Sequence, residues 1–182
     1  TMSSIYSAAA AWTMAREGGW YDGSNPRDPN PTMKGVTQHT YDKYRRDKGL
    51  PIRSVRLISD EEWADIAQSY WAETKLYMLA DLGLRLCCTT LFDHAFTAGA
   101  DDGIKILQRA LGLQDDGIVG SKTRTAVGQI EQWEDARLAD RLNWLRLHHY
   151  RDLARSLRLR PNLLSWLNRV ADFQEERVQP NL

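Results

Sequence analysis

Apolar positions recur at helical spacing along nearly the whole chain. Ile5, Ala8, Ala9, Trp12 and Ala15 share one helical face, Ser3 or Ser4 can cap it, and Gly18 and Gly19 stop it. Thr37 caps a second helix that runs to about Lys48 and ends at Gly49. Ser59-Asp60-Glu61-Glu62 has the capping-box pattern and opens a helix whose Trp63, Ile66, Ala67, Tyr70 and Trp71 follow a buried stripe. From about Leu82 to Ala98, Leu84, Cys88, Leu91, Phe92 and Ala95 fall on one side, which predicts the central, most buried helix. Asp101 or Asp102 caps Gly103–Leu111, Gly112 closes it, and Ser121 caps the next helix. One long helix is predicted from about Glu131 to Leu157, and Asn162 begins the last.

The helical period is lost between residues 20 and 36. Asp22-Gly23, Asn25-Pro26, Asp28-Pro29 and Asn30-Pro31 are successive turn signals, and the prolines leave room for no more than a short hairpin. No repeat and no flexible linker divides the chain. The expected class is therefore all-α in the main, interrupted by one irregular or short-hairpin loop.

Composition narrows the functional classes. The 182 residues, 42% hydrophobic with seven tryptophans, can bury one substantial core. Lys plus Arg equals Asp plus Glu at 24 each, so no global field steers the protein toward nucleic acid. Charge is nonetheless uneven: between Arg137 and Arg169 stand eight arginines against only Asp140 and Asp152. No apolar run reaches the roughly 18–20 residues of a membrane span, and no secretory leader is evident, so an extracytoplasmic target implies delivery by another factor. Cys87 and Cys88 are adjacent within an apolar helical run and read as buried thiols rather than a disulfide framework or a zinc site. The four histidines have no metal-ligand spacing, and no cofactor is expected.

Candidate chemistry concentrates at the first helix stop. Glu17 follows an apolar helix and precedes two glycines, and Asp28 returns eleven residues later with Thr32 just beyond. The carbonyl end of a helix disfavours negative charge and raises a carboxyl pKa, which suits a general acid but equally describes a glutamate at a frayed end. Asp28 before Pro29 suits a base across a cleft and also a simple turn.

Taken together, Glu17-Gly18-Gly19, Asp28-Pro29, Lys34-Gly35-Val36-Thr37, Phe92-Asp93, Leu107-Gln108-Arg109-Ala110-Leu111-Gly112 and Asp116-Gly117-Ile118-Val119-Gly120 resemble glycoside hydrolase family 108. These are phage and prophage endolysins with muramidase activity in the lysozyme-like superfamily. From about Leu107 through Trp166-Leu167-Asn168-Arg169-Val170 the chain resembles the predicted peptidoglycan-binding segment found with that family. It departs from the pattern in having one residue fewer between Asp28 and Thr32, Thr97-Ala98-Gly99 after the central helix, and Ser121 in place of a proline.

The resemblance implies a lysozyme-like two-lobed fold, with residues 1–100 as the catalytic lobe and 101–182 as a helical peptidoglycan-binding lobe packed on it. It implies hydrolysis of the β-1,4 bond between N-acetylmuramic acid and N-acetylglucosamine. Glu17 would be the acid, with Asp28 and a hydroxyl from Thr32 or Thr37 holding water. Trp20, Tyr21, Lys34, Thr37, Asp93 and Thr97 would bind substrate. Peptidoglycan is the implied partner of a monomer without cofactor, nucleic acid or membrane-spanning segment. The protein would be made in the host cytoplasm and act on the wall in the periplasm. A lytic transglycosylase using one glutamate, and a non-catalytic wall-binding protein, are the alternatives to a hydrolase.

Overall fold

The structure is a computed structural model that describes residues 4–26, 29–155 and 163–178. Helix α1 (Ser4–Met14) leads into the turn-rich loop, followed by the strands β1 (Thr32–Met33) and β2 (Val36–Thr37) and by α2 (Gln38–Asp47). Then come α3 (Asp60–Glu73), α4 (Tyr77–Asp81), α5 (Arg85–Ala98), α6 (Ala100–Ala110), α7 (Ser121–Gly128), α8 (Asp135–Leu153) and α9 (Leu163–Val178). The mainly helical class is as expected. The short helix α4 has no counterpart in the sequence reading.

Everything is arranged around α5. Its apolar stripe widens until Cys87, Cys88, Leu91, Phe92, Ala95 and Phe96 are all buried, with Thr90, Asp93 and His94 between them. Helices α1, α3, α4, α6 and α8 pack against it, and α9 rests on α8. One continuous apolar cluster joins Tyr6 and Trp71 to Phe92, Leu107, Leu142 and Phe173. The sequence boundary at residue 100 is thus a change of motif within a shared core, because α6 and α8 cover faces of α5 that would otherwise be wet. Both cysteines are free and buried, and burial raises both thiol pKa values far above ordinary.

Local signals were accurate where side chains make the caps. Thr37 accepts from the Thr40 amide at the start of α2, and Ser59 and Glu62 complete the box at the start of α3. Four expectations are corrected. The buried face of α1 is Tyr6, Ala9, Ala10 and Thr13, while Ala8 and Ala15 are exposed. Tyr6 meets the Trp71 and Phe92 rings edge-on and Thr13 donates to Asp93, which turns the helix away from the purely apolar stripe. Asp101 and Asp102 lie inside the first turn of α6, with Gly99 as its cap, and Gly120 rather than Ser121 caps α7. The long helix begins at Asp135, since residues 132–134 form a 3-10 turn. Ser3, Leu157 and Asn162 lie outside the described residues.

Candidate active site

Glu17 stands one turn beyond α1, its amide donating to the Met14 carbonyl at 3.2 Å. The following residues return the chain alongside the hairpin. The Lys34 amide donates to the Gly18 carbonyl at 3.1 Å, and Tyr21 and Thr32 exchange two backbone hydrogen bonds of 2.8 Å. Thr32 pairs across the hairpin with Thr37, and Met33 with Val36. The connecting residues Lys34 and Gly35 both have positive φ, 49° and 75°, as a tight two-residue hairpin demands. The Trp63 indole donates to the Lys34 carbonyl at 2.9 Å and fastens the hairpin tip to α3.

That tip lies directly on the Glu17 carboxylate. A Cβ at Gly35 would overlap the Glu17 carboxylate, so position 35 needs glycine both for its left-handed backbone and for clearance. Gly35→Ala is expected to cost about 1–2 kcal/mol in stability from the backbone alone and to displace Glu17. Activity should fall well beyond what the melting temperature explains. Parallel melting and peptidoglycan-turnover measurements check this, and full activity would show that the tip does not position the acid.

On its other side Glu17 meets an arginine from the far end of the chain. Arg169 of α9 donates to Glu17 Oε1 at 2.8 Å, to Asp93 Oδ1 at 2.5 Å, and to the Arg16 carbonyl at 3.2 Å. Asp93 is fully buried and also bonds Arg146 of α8 at 2.5 Å, and Thr13 donates to it at 3.2 Å. The Tyr150 hydroxyl and the Asn143 side-chain oxygen accept from the other Arg146 donors. The result is a buried chain of alternating charge, Glu17–Arg169–Asp93–Arg146, in which every guanidinium has an acceptor.

Electrostatics follow from this order. Burial is the largest influence on Glu17 and raises its pKa; Arg169 opposes that, Asp93 adds to it, and the net direction is up. Burial also pushes Asp93 up, but Arg146 and Arg169 outweigh it and hold the carboxyl below its ordinary value. Two carboxyls sharing one arginine are thus driven apart, one upward and the other downward.

The remaining sequence candidates separate into groups. Thr32 and Thr37 face one another on the hairpin beside the Glu17 turn, but both hydroxyls already have backbone partners. Thr32 donates to the Asn30 carbonyl at 3.0 Å, and Thr37 caps α2. Lys34 extends its ammonium to Asp60 at 2.5 Å. Trp20 is exposed, with the Arg56 guanidinium over its ring, and the Tyr21 hydroxyl accepts from the Asn25 amide at 3.1 Å. Asp93 is a correction: with 0% exposure and two guanidiniums on its oxygens it offers no open face to a sugar, and Arg169 lies between it and Glu17. Thr97 is also displaced from the site. It lines a separate cavity of about 160 Å³ with His149, Tyr150 and Trp166, and its hydroxyl bonds back to the Asp93 carbonyl. Asp28 lies outside the described residues.

Arg169 and Arg146 are the site residues that the sequence reading missed. Arg146 was visible as an arginine on the buried face of α8, in line with Ala139, Leu142, Asn143 and Tyr150. Arg169 carried no such signal, since only the fold brings it to Glu17. Its helix also walls a pocket of about 510 Å³ lined by Arg16, Leu164, Ser165, Asn168, Arg169 and Asp172. A larger groove of about 650 Å³ between α2 and α3 includes none of the site residues.

Residues 10–99 match the family described as Glycosyl hydrolase 108. The chain carries a glycosyl hydrolase 108 domain. Residues 102–171 match a second family, Predicted Peptidoglycan domain. Among curated proteins none matches the chain in sequence. Among solved structures, the chain is similar to Brucella abortus SagA at 23% identity, with a TM-score of 0.70 over 95% of this chain and 93% of that one. That likeness speaks for the fold over nearly the full length. The two families together make the protein a glycoside hydrolase that acts on peptidoglycan. In this glycosyl hydrolase 108 chain, Arg169 and Arg146 both belong to the peptidoglycan-domain segment, which therefore supplies part of the setting of Glu17.

Proposed function

We propose that the enzyme is an N-acetylmuramidase that hydrolyses the β-1,4 bond between N-acetylmuramic acid and N-acetylglucosamine, with Glu17 as general acid. The observation that carries this reading is the setting of Glu17: a carboxyl whose side chain is 9% exposed, raised in pKa by burial, and clasped between the hairpin tip and Arg169. A carboxyl raised in this way is suited to deliver a proton to a glycosidic oxygen as the bond breaks. Water would be activated on the opposite sugar face by Asp28, assisted by a hydroxyl of Thr32 or Thr37 at the hairpin. Trp20 and Tyr21 would flank the sugars.

The motifs of the chain favour an endolysin that is made in a host cytoplasm, works as a monomer, and reaches the periplasmic wall after release by another factor. Among the described residues no helix is long and apolar enough to cross a membrane.

Products decide between hydrolysis and transglycosylation. An inverting pair of carboxyls stands roughly 6.5–9.5 Å apart to admit a water, and that wider arrangement is the one expected for Glu17 and Asp28. Asp28→Asn should then cripple turnover, and mass spectrometry of fragments released from purified peptidoglycan should show reducing muramic acid ends. Predominantly 1,6-anhydro ends, together with an active Asp28→Asn enzyme, would reject water activation and establish a lytic transglycosylase.

A further inference from the structure

The arginine excess of the C-terminal half splits into two populations. Arg146 and Arg169 point inward to Asp93. Arg137, Arg141 and Arg151 are exposed on α8, and Arg155 is exposed just past its end. Spacings of four, three, four, three and four residues align Arg137, Arg141, Trp144, His148, Arg151 and Arg155 along one line of the helix. At 100° per residue that line lies opposite the buried positions Ala139, Leu142, Asn143, Arg146 and Tyr150. The solvent face of α8 is therefore a basic stripe with an aromatic centre.

Two features mark the stripe as more than a solvated face. Trp144 leaves 58% of its surface in water, tilted against His148 with ring centroids 3.8 Å apart, and Trp133, in the turn just before α8, is 74% exposed. Neither indole serves the core. Among the described residues Arg137 and Arg141 form no ion pair, whereas Arg151 and Arg155 share Asp152. The acidic residues beside the stripe are Glu134 at its start, Asp140, which accepts from Gln174 of α9, and Asp152, while Asp135 turns away to the Leu86 and Cys87 amides, so Arg137, Arg141, Arg151 and Arg155 face three carboxylates.

We propose that this outer face of α8, from Trp133 to Arg155, is the surface that grips the peptidoglycan strand away from the catalytic site. The proposal rests on the peptidoglycan-degrading reading and adds where the wall is held. An indole offers an apolar platform to the C–H face of a pyranose, and guanidiniums pair with the carboxylates of stem peptides. The helix advances about 10.5 Å per seven residues, close to the length of one β-1,4-linked disaccharide. Arg137, Trp144 and Arg151 are thus spaced to meet successive repeats of an extended, negatively charged glycan. The face is opposite the α8 surface that carries Arg146, so holding the wall leaves the Glu17 network undisturbed.

The test uses the full chain carrying Glu17→Gln, so that bound wall is not digested. Co-sedimentation with purified sacculi is compared with and without Arg137→Gln, Arg141→Gln and Trp144→Ala together. The triple variant should bind sacculi about tenfold or more weakly, and the residual salt dependence should shrink, since screened charge contacts are what it removes. The same three substitutions in the active enzyme should leave turnover of a short soluble glycan fragment unchanged. Undiminished sacculus binding would overturn the proposal. So would a stripe-dependent affinity for vesicles of phosphatidylglycerol and phosphatidylethanolamine with none for sacculi, which would assign the face to a membrane. Absence of any peptidoglycan cleavage by the unsubstituted enzyme would instead refute the enzymatic reading, and the binding comparison would still judge the stripe.

Discussion

Glu17→Gln should leave a folded protein whose turnover of purified peptidoglycan falls by about 10²–10⁴-fold, the usual contribution of a general acid. The substitution is nearly isosteric and keeps an acceptor for Arg169, so the hairpin tip at Gly35 and the α9 contact should persist. It removes only the transferable proton. Melting behaviour close to that of the parent protein, with lost turnover, is the expected pair of results. Near-parental clearance of a peptidoglycan suspension by the folded variant would take the acid role away from Glu17, and Asp93 could not inherit it, being sealed between two guanidiniums.

The elements of the fold were legible wherever one residue type settles one local question. Thr37 and Ser59 cap because their hydroxyls reach the amide three residues on, and the Gly49 and Gly112 stops sit at φ of 66° and 72°. Hydrophobic period likewise found α3 and α5. It failed on α1 because burial there is decided by partners far along the chain: Thr13 turns inward to reach Asp93, which an apolar-stripe argument counts as polar and exposed. For the site, Glu17 was legible as a carboxyl at a helix stop, and the hairpin turn as Lys34-Gly35. Arg169 was not, since it lies 152 positions along the chain from Glu17, a separation bridged only by packing. Asp93 was legible as belonging to the site but not in its role, because the burial that removes it from substrate comes from α8 and α9. Charge counting misled in the same way. Of the eight arginines from Arg137 to Arg169, two neutralise a buried carboxylate and others form the α8 stripe, a division that a count along the chain does not show.

Substituting the two sides of the buried ion chain should move the activity profile in opposite directions. A general acid works while protonated, so turnover falls as pH rises through the pKa of Glu17. Arg169 lowers that pKa and Asp93 raises it. Arg169→Met should therefore carry the alkaline limb of the profile to higher pH, and Asp93→Asn should carry it to lower pH. Both variants break a buried pair and should lose about 3–5 kcal/mol of stability, so rates must be taken below the lowered melting temperature and scaled to folded protein. Arg169→Lys retains charge but loses the planar fork that serves Glu17, Asp93 and the Arg16 carbonyl together. It should keep the limb near its parental position while turnover drops, because the carboxyl is no longer held in place. A common loss of rate in all three variants with unmoved limbs would reduce Arg169 to a structural strut. Opposite shifts would establish that the C-terminal helix sets the protonation of an acid at the other end of the chain.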